Sequence, residues 1–466
     1  MNFFTRVREW IKTLLSGRIK DEFDIDVVSS PEVGSFVNDC WNIYQGRPNW
    51  VNADNHVDTV NFAKSVCSEI ARLTTLGAKV TIDGSPRGEW LQEQIDKAYF
   101  NLRSWVEYAA AGGTIILKPT DNGIDYVLPE NFEVTAVENG EIRGAVFYDV
   151  AHDATAKKWY TRLEWHRFEA NGDYAITNRC FISDTENGKG KPIAIELTPW
   201  AKLSADDAIK NVDGMLFSVL RMPEANNIDP HSVYGLPVFA GAVKELRDLD
   251  VAYSRFVKEV WDSKRIVLLD SDRLTPSGVK INPRVNPVEN AGLPDYIKAV
   301  KGAGANDDIY HEINPMLNTD TRLSGINALL SQIGYKCGFS NGYFVFNERH
   351  GIATATQIEA DQQRTIQLIK DVRDKLESCL DGLIYALDKY ADLYNLAPVG
   401  VYEVNYDFGD ITYNPDEDRA RWLGYVTAGR IAFWRYLVKF EGMTEDEAKE
   451  IAAETQQTPT LFGEEE

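Results

Sequence analysis

Residues 338–342 (GFSNG) match G-x-S-x-G, the pattern that carries the nucleophilic serine of α/β-hydrolases. In those enzymes a strand leads into the turn and a helix leads out, which strains the turn and exposes the serine. Here the apolar spacing predicts the reverse order, with a helix before the motif and the strand-like segment 343–346 (YFVF) after it. Only one histidine, His350, follows, and only one acidic residue, Glu348, lies between it and Ser340. The motif therefore predicts a helix terminator, and a serine hydrolase using Ser340 is kept as an alternative function.

Histidines and acidic residues form no strong catalytic or metal-binding pattern. The six histidines are spaced singly, without the H-E-x-x-H pattern of zinc sites. Glu164 and His166 share a face of a predicted strand, either as a metal-binding or acid–base pair or, as we favour, in a cross-strand polar contact. Three acidic pairs lack the glycine and glutamate of an EF-hand loop, so turns and N-caps account for them: Asp24/Asp26, Asp270/Asp272 and Asp416/Asp418. We expect no catalytic residue, no metal, no cofactor and no enzymatic activity.

The charge of the chain restricts its function. Across 466 residues, 71 Asp and Glu outnumber 49 Lys and Arg, so the formal net charge is -22. Proteins that bind DNA by releasing counterions from phosphates are basic at least in the binding domain, so tight, broad binding of nucleic acid is not expected. Five scattered cysteines without a C-x-x-C pair indicate a reducing cytoplasm rather than a disulfide framework.

Residues 1–20 predict an amphipathic helix. Their apolar side chains fall on one helical face, with the charges elsewhere: Phe3, Phe4, Val7, Trp10, Ile11, Leu14 and Leu15. We expect this helix to dock on its own protein or on a neighbouring subunit, and a membrane-surface protein anchored by residues 1–20 is the alternative. No stretch reaches the roughly 18 uninterrupted apolar residues of a membrane span.

The spacing of apolar residues predicts the helices and strands that carry these residues. Helices are predicted over 55–76, ending at Gly77, and over 89–110. Residues 113–203 then alternate and turn as an antiparallel β-meander, with the best tight hairpins at Asn139-Gly140 and Asn171-Gly172. Strands and helices do not alternate there, so a doubly wound nucleotide-binding sheet is not supported.

The second half is mainly helical. The predicted order is a helix over 238–264, a small β-containing insertion within 270–318, a helix over 321–338, an irregular segment over 339–353, a long helix to 394, a strand over 401–411, and helices over 415–433 and 443–455. Proline is absent between Pro315 and Pro398, as two long helices require. The fold class is therefore α+β.

Four segments carry a resemblance to a known family: 126–148 (YVLPENFEVTAVENGEIRGAVFY), 160–181 (YTRLEWHRFEANGDYAITNRCF), 222–260 (beginning MPEANNIDPHSVYGLP) and 350–377 (beginning HGIATATQIEADQQ). In this order, they resemble the portal proteins, or head–tail connectors, of long-tailed bacteriophages that infect Gram-positive bacteria. The resemblance extends over residues 1–440 and depends on several moderate matches in the right order rather than on one diagnostic motif.

The resemblance implies a portal-type, ring-forming fold with long stem and wing helices, a β-rich wing meander and a small α/β clip. Its parts map as follows: 1–237, N-terminal wing region with helices and the meander; 238–264, stem helix; 265–320, clip; 321–339, second stem helix; 340–354, tunnel loop; 355–394, long wing helix; 395–466, crown and C-terminal tail.

The resemblance also implies a function. Such proteins form a ring, dodecameric in the capsid, at one vertex of the virion after assembly in the host cytoplasm. Double-stranded DNA passes through the channel during packaging and ejection without being tightly bound. The implied partners are further copies of the chain, the terminase large subunit, a head-completion or adaptor protein, the scaffold and the major capsid protein. Another phage head structural protein is the nearest alternative.

Two sets of residues become candidates within this scheme. The tunnel loop would project into the channel, so its polar residues would lie nearest DNA: Asn347, Glu348, Arg349 and His350. Capping of helices or packing between subunits is the alternative role for these four residues. Trp261, near the end of the first stem helix, is a candidate intersubunit anchor, with burial in the core of its own chain as the alternative.

Overall fold

The computed structural model describes residues 17–457 except for 29, 52–55, 121–122, 187, 189, 264–265, 271–296, 301–309, 314–317, 346–354 and 410–414. Helices and sheets are both prominent, which confirms the α+β fold class. The chain divides into two compact units, Met1–Asp407 and Phe408–Glu466. None of the helices within the described residues has the length and apolarity that a membrane span requires.

The helices of the first unit are α1 (Pro31–Tyr44), α2 (Phe62–Thr75), α3 (Pro86–Gly112), α4 (Val243–Asp262), α5 (Thr319–Lys336) and α6 (Ala355–Tyr394). The predicted start of α2 at residue 55 is wrong. The backbone N–H of Val60 donates to Asp250 of α4, and Asn61 takes a left-handed conformation (φ 53°), so the helix begins at Phe62. Tertiary contact here overrides the apolar periodicity of the preceding residues.

The strands of the first unit are β1 (Lys79–Asp83), β2 (Thr114–Thr120), β3 (Gly123–Val127), β4 (Phe132–Glu138), β5 (Glu141–Asp153), β6 (Lys158–Phe168), β7 (Tyr174–Ser183), β8 (Lys191–Ile193), β9 (Asp206–Ile209), β10 (Ser218–Arg221), β11 (Ile266–Asp270), β12 (Ile297–Val300), β13 (Tyr310–Ile313) and β14 (Glu403–Asp407). They form four sheets: β4-β5-β6-β7-β8 with β9 paired to β7, β10-β2-β3, β12-β11-β13, and β1-β14.

The antiparallel meander is confirmed. Asn139 and Gly140 both have positive φ (53° and 80°), as a two-residue turn between β4 and β5 requires. The second predicted hairpin also forms, but its connection spans 169–173, and Gly172 supplies the left-handed residue (φ 85°). The Asn-Gly pairs therefore located both turns.

The largest sheet is covered on two sides. On one side, Phe132, Val134 and Phe147 pack with Ile116 of β2 and with residues of α1. On the other side, residues 17–28 cross the sheet, and Ile19 is completely buried among side chains of β5, β6 and β7. The rest of the predicted amphipathic helix, residues 1–16, lies outside the described residues.

The helices α4 and α5 are separated in the chain by the predicted β-containing insertion, whose three strands pair as β12-β11-β13. The long helix α6 has 40 residues, or about 60 Å at 1.5 Å per residue. The strand β14 pairs with β1, so the first compact unit extends to Asp407, beyond residue 395 where the crown was expected to begin.

The second unit contains α7 (Pro415–Thr427), α8 (Phe433–Glu441) and α9 (Glu445–Gln457). A single helix over 415–433 was predicted, and this is wrong, because Gly429 adopts a left-handed conformation (φ 67°) that ends α7. Before α9, Thr444 and Glu447 bond reciprocally through side chain and backbone, which forms a capping box.

Candidate functional site: a helix pair and the loop after it

The helices α4 and α5 form an antiparallel pair. Near the start of α4, Glu245 pairs with Lys336 at the end of α5 (2.7 Å). Near the end of α4, Glu259 pairs with Arg322 in the first turns of α5 (2.8 Å). Ion pairs at both ends set the register of the two helices, and both are partly exposed, so each contributes little stability by itself.

A second side of α4 holds the segment that precedes α2. The carboxylate of Asp250 accepts hydrogen bonds from the indole N–H of Trp50 (2.9 Å) and the backbone N–H of Val60 (2.8 Å). One turn later, the Ser254 hydroxyl accepts from the backbone N–H of Asp58 (2.9 Å). Burial raises the pKa of Asp250 despite these bonds. The carboxylate of Asp250 on α4 therefore holds the segment that precedes α2.

The helix α5 ends in a Schellman motif. Gly338 is left-handed (φ 87°), its N–H donates to the carbonyl of Tyr335 (3.2 Å), and the N–H of Phe339 donates to Gly334 (2.9 Å). A Cβ at Gly338 would lie 3.1 Å from the side chain of Leu368 on α6. The helix terminator predicted from the G-x-S-x-G match is confirmed.

Ser340 is a buried structural residue. It is 6% exposed, and its backbone N–H donates to Thr365 Oγ1 of α6 (2.8 Å). Ser340 Oγ in turn lies 3.0 Å from Thr365 Oγ1 and 3.3 Å from the Thr365 backbone N–H, from which it accepts. A serine nucleophile needs an accessible hydroxyl beside a base, whereas this hydroxyl joins the start of the loop to α6.

Aromatic residues anchor the first part of the loop. Phe344 packs edge-on against Phe62 of α2 (5.2 Å between centroids) and against Phe339 (4.7 Å). The Tyr343 hydroxyl donates to Glu69 of α2, and burial raises the pKa of Tyr343 to about 12. The first part of the loop is therefore held on α2.

The four candidate residues of the loop itself, Asn347, Glu348, Arg349 and His350, lie outside the described residues. Trp261 lies on α4 and is 67% exposed, so it does not belong to the core of its own chain within the described residues. In the part of the helix pair and loop that the structure describes, no serine or cysteine nucleophile lies beside a general base. Among the described residues, no group of three or more His, Cys, Asp or Glu side chains could hold a metal ion.

Glu164 and His166 share a face of β6 as predicted, and the predicted cross-strand polar contact is made by His166 with Tyr174 of β7. Both contacts belong to a larger buried network. Glu164 Oε1 lies 3.0 Å from His166 Nε2, and His166 Nδ1 lies 2.8 Å from the Tyr174 hydroxyl. The second carboxylate oxygen accepts from Lys118 of β2 (2.5 Å) and Arg162 of β6 (2.9 Å). Because Lys118 belongs to a different sheet, the network joins two sheets.

The protonation states follow from these contacts. An ionised carboxylate only accepts, so His166 carries its proton on Nε2 and accepts the Tyr174 hydroxyl at Nδ1. Burial lowers the pKa of His166. Burial alone would raise the pKa of Glu164, but Lys118, His166 and Arg162 hold it well below its usual range. His166 is only 4% exposed, so the network is a sealed structural link rather than an open acid–base site.

Two buried arginines were not predicted. Arg373 of α6 donates to the carbonyls of Leu73, Thr74 and Leu76 (3.1 Å each), which are otherwise unpaired at the end of α2. Its sequence signal was a cation four residues after Ile369, on the apolar stripe of α6.

Arg87 performs the corresponding role at the end of α6. It donates to the Asp388 carbonyl (2.7 Å), to the Asp392 carboxylate (2.6 Å) and to the Ala397 carbonyl (2.9 Å). Arg87 follows a proline at a helix start, and nothing in that pattern distinguishes it from an exposed arginine. Together, Arg87 and Arg373 fix the long helix against α3 and α2.

No protein-family model matches the chain, and a search of curated proteins finds no match either.

Proposed function

We propose that the protein is a bacteriophage portal protein, a ring-shaped channel at one capsid vertex through which double-stranded DNA is packaged and ejected. The paired helices α4 and α5 carry the proposal. They run antiparallel with ion pairs near both ends, and the intervening chain holds a separate three-stranded sheet. A loop and the 40-residue helix α6 follow. This order supports a stem, clip, tunnel loop and wing, as the sequence resemblance implies.

Exposed apolar side chains on α4 support assembly into a ring. Tyr253 is 43% exposed, Val260 46% and Trp261 67%. Exposed apolar surface of this kind is stabilised when another molecule covers it. In a ring, the contact is heterologous, and each copy covers its neighbour with the same pair of surfaces. Trp261 is the proposed intersubunit anchor.

The proposed partners follow from the same scheme. The clip sheet would dock the terminase large subunit during packaging and the head-completion or adaptor protein afterwards, while the scaffold and major capsid protein surround the ring. The protein would act in the host cytoplasm during assembly and at the capsid vertex of the virion. Because each copy carries -22, the channel would pass the duplex without holding it tightly.

Native mass spectrometry and negative-stain imaging of the purified chain test the proposal. We expect rings with a central hole and about twelve or thirteen copies, as the resemblance to portal proteins implies, because heterologous contacts close into rings. The matched variant Trp261→Ala should reduce the ring fraction, whereas Phe100→Ala, which removes a side chain 90% exposed on α3, should leave it unchanged. A uniform monomer or dimer at every concentration, with or without a scaffold protein, would refute the proposal.

A further inference from the structure

The acidic and the basic residues of α4 differ in the contacts that they make. The helix contains five acidic and four basic residues, so its sequence does not identify it as basic. Three acidic side chains face inward: Glu245 and Glu259 pair with α5, and Asp250 binds the segment before α2. The cations lie on the solvent-exposed side of the helix, and Glu259, one turn after Arg255, lies at the border between the two sides.

All four cations lie on one face of α4, and all are exposed: Lys244, Arg247, Arg255 and Lys258. Their consecutive spacings of three, eight and three residues keep them within about 80° around a helix with 3.6 residues per turn, over about 21 Å of its length. Arg247 pairs with Asp248 (3.4 Å). To the other described residues, Lys244, Arg255 and Lys258 make no hydrogen bond and no ion pair. Asp262, also exposed, is the one further acidic residue at the end of the stripe.

We infer that this stripe contacts the phosphate backbone of duplex DNA. This inference rests on the proposed function. It adds α4 to the tunnel loop as a second element that faces DNA. Over about 21 Å, the stripe would run beside about six phosphates of one strand. Its cations are few, exposed and not organised into a pocket, so each phosphate contact is weak and the duplex can slide.

The favoured occupant is DNA rather than a second copy. Residues two apart on a helix lie about 160° apart around its axis. Tyr253 is therefore nearly opposite Arg255, and Val260 is nearly opposite Lys258. Tyr253 and Val260 therefore suit a neighbouring copy on that side. Trp261, three residues after Lys258, lies about 60° from it and marks the border between the two surfaces, which leaves the stripe itself for a polyanion.

The test measures binding of a fluorescent 30-base-pair duplex by the full-length protein between about 25 and 200 mM NaCl, the range over which phosphate contacts weaken strongly. The stripe variant is K244Q/R255Q/K258Q. The control K157Q/K202Q/K210Q removes three exposed lysines outside α4 and has the same net charge. A third variant, K244R/R255K/K258R, keeps the charges of the stripe.

The slope of log K against log [NaCl] should become smaller by about 0.9 for each stripe cation that contacts a phosphate. The control and the charge-conserving variant should keep the wild-type slope. Equal slopes in the stripe and control variants, or no binding by wild type at the lowest salt, would overturn the inference even if rings form. If the stripe variant loses its rings while the control variant keeps them, the inference would also be overturned, because the stripe would then belong to a contact between subunits. Failure of the wild type to form rings refutes the proposed function instead, while the slopes still report on the stripe.

Discussion

Replacing Glu164 by glutamine should strongly destabilise the first compact unit. The side chains of Lys118, Arg162 and Glu164 are only 6%, 8% and 13% exposed, so water cannot solvate Lys118 once the carboxylate charge is removed, whereas Arg162 keeps its pair with Asp149. Removing one partner of a buried ion pair costs about 3–5 kcal/mol. The glutamine amide could keep one acceptor oxygen but would direct N–H groups at a cation or at His166. At about 2.1 cal/mol/K per residue, the unfolding entropy of a unit that spans Met1–Asp407 is about 0.85 kcal/mol/K, so the melting temperature should fall by about 4–6 °C.

A double-mutant cycle with Lys118→Met separates this interaction from other effects of the substitution. The double variant should be less destabilised than the sum of the single variants, with a coupling of about 1–3 kcal/mol, because methionine removes the cation left unpaired. Glu93→Gln is the matched control, since its exposed pair with Lys97 (63% and 59%) should contribute at most about 1 kcal/mol. Thermal melting monitored by circular dichroism supplies the measurement. A Glu164→Gln shift no larger than that of Glu93→Gln, or strict additivity with Lys118→Met, would refute the assignment.

Further predictions concern four other residues. Because burial lowers the folded pKa of His166, the unfolded chain takes up a proton first below pH about 6.5, so the free energy of unfolding should fall as pH drops from there towards the folded pKa. His166→Gln should remove this part of the slope in urea titrations, and an unchanged slope would contradict the neutral assignment. Arg373→Met should cost about 3–5 kcal/mol by leaving buried carbonyls unpaired and should speed amide exchange at the end of α2, while unchanged exchange there would show that the arginine does not cap α2. Trp261→Ala should leave the melting temperature of the monomer within about 2 °C of wild type while weakening assembly in sedimentation experiments, and the opposite pattern would place Trp261 in a core. Ser340→Ala should lower stability by about 1–3 kcal/mol without abolishing any esterase signal above background, and loss of a wild-type signal would revive the hydrolase alternative.

Sequence periodicity predicted most helices and strands because their signals are local. An apolar repeat without proline predicted α6, and Asn-Gly pairs predicted the turns of the meander. The helix predicted over 415–433 failed at a local signal, Gly429, whereas the error at the start of α2 arose where a distant residue decides the backbone. The carboxylate of Asp250 holds Val60 outside α2, and this contact spans two segments far apart in the chain.

In the candidate sites, too, local spacing predicted some contacts, and only the packed structure revealed the others. Glu164 and His166 are two residues apart on one strand, so their contact was predictable from the alternation of side chains. Lys118 reaches Glu164 from another sheet, and no spacing rule joins these two positions. For Ser340, the order of elements around it was enough to disfavour a nucleophile, but its bonds to Thr365 of α6 required the packed structure.

The sequence alone determined the α+β class, the acidic character, the order of the main elements and the resemblance to portal proteins, because composition, periodicity and order are properties of the chain itself. Only the tertiary structure decided which charges remain outside. The helix α4 has one more acidic than basic residue, yet packing directs Glu245, Asp250 and Glu259 inward and leaves a stripe of cations exposed. An acid that is turned away from water needs a donor within hydrogen-bond distance, and the donors for these three come from α5 and from the segment before α2.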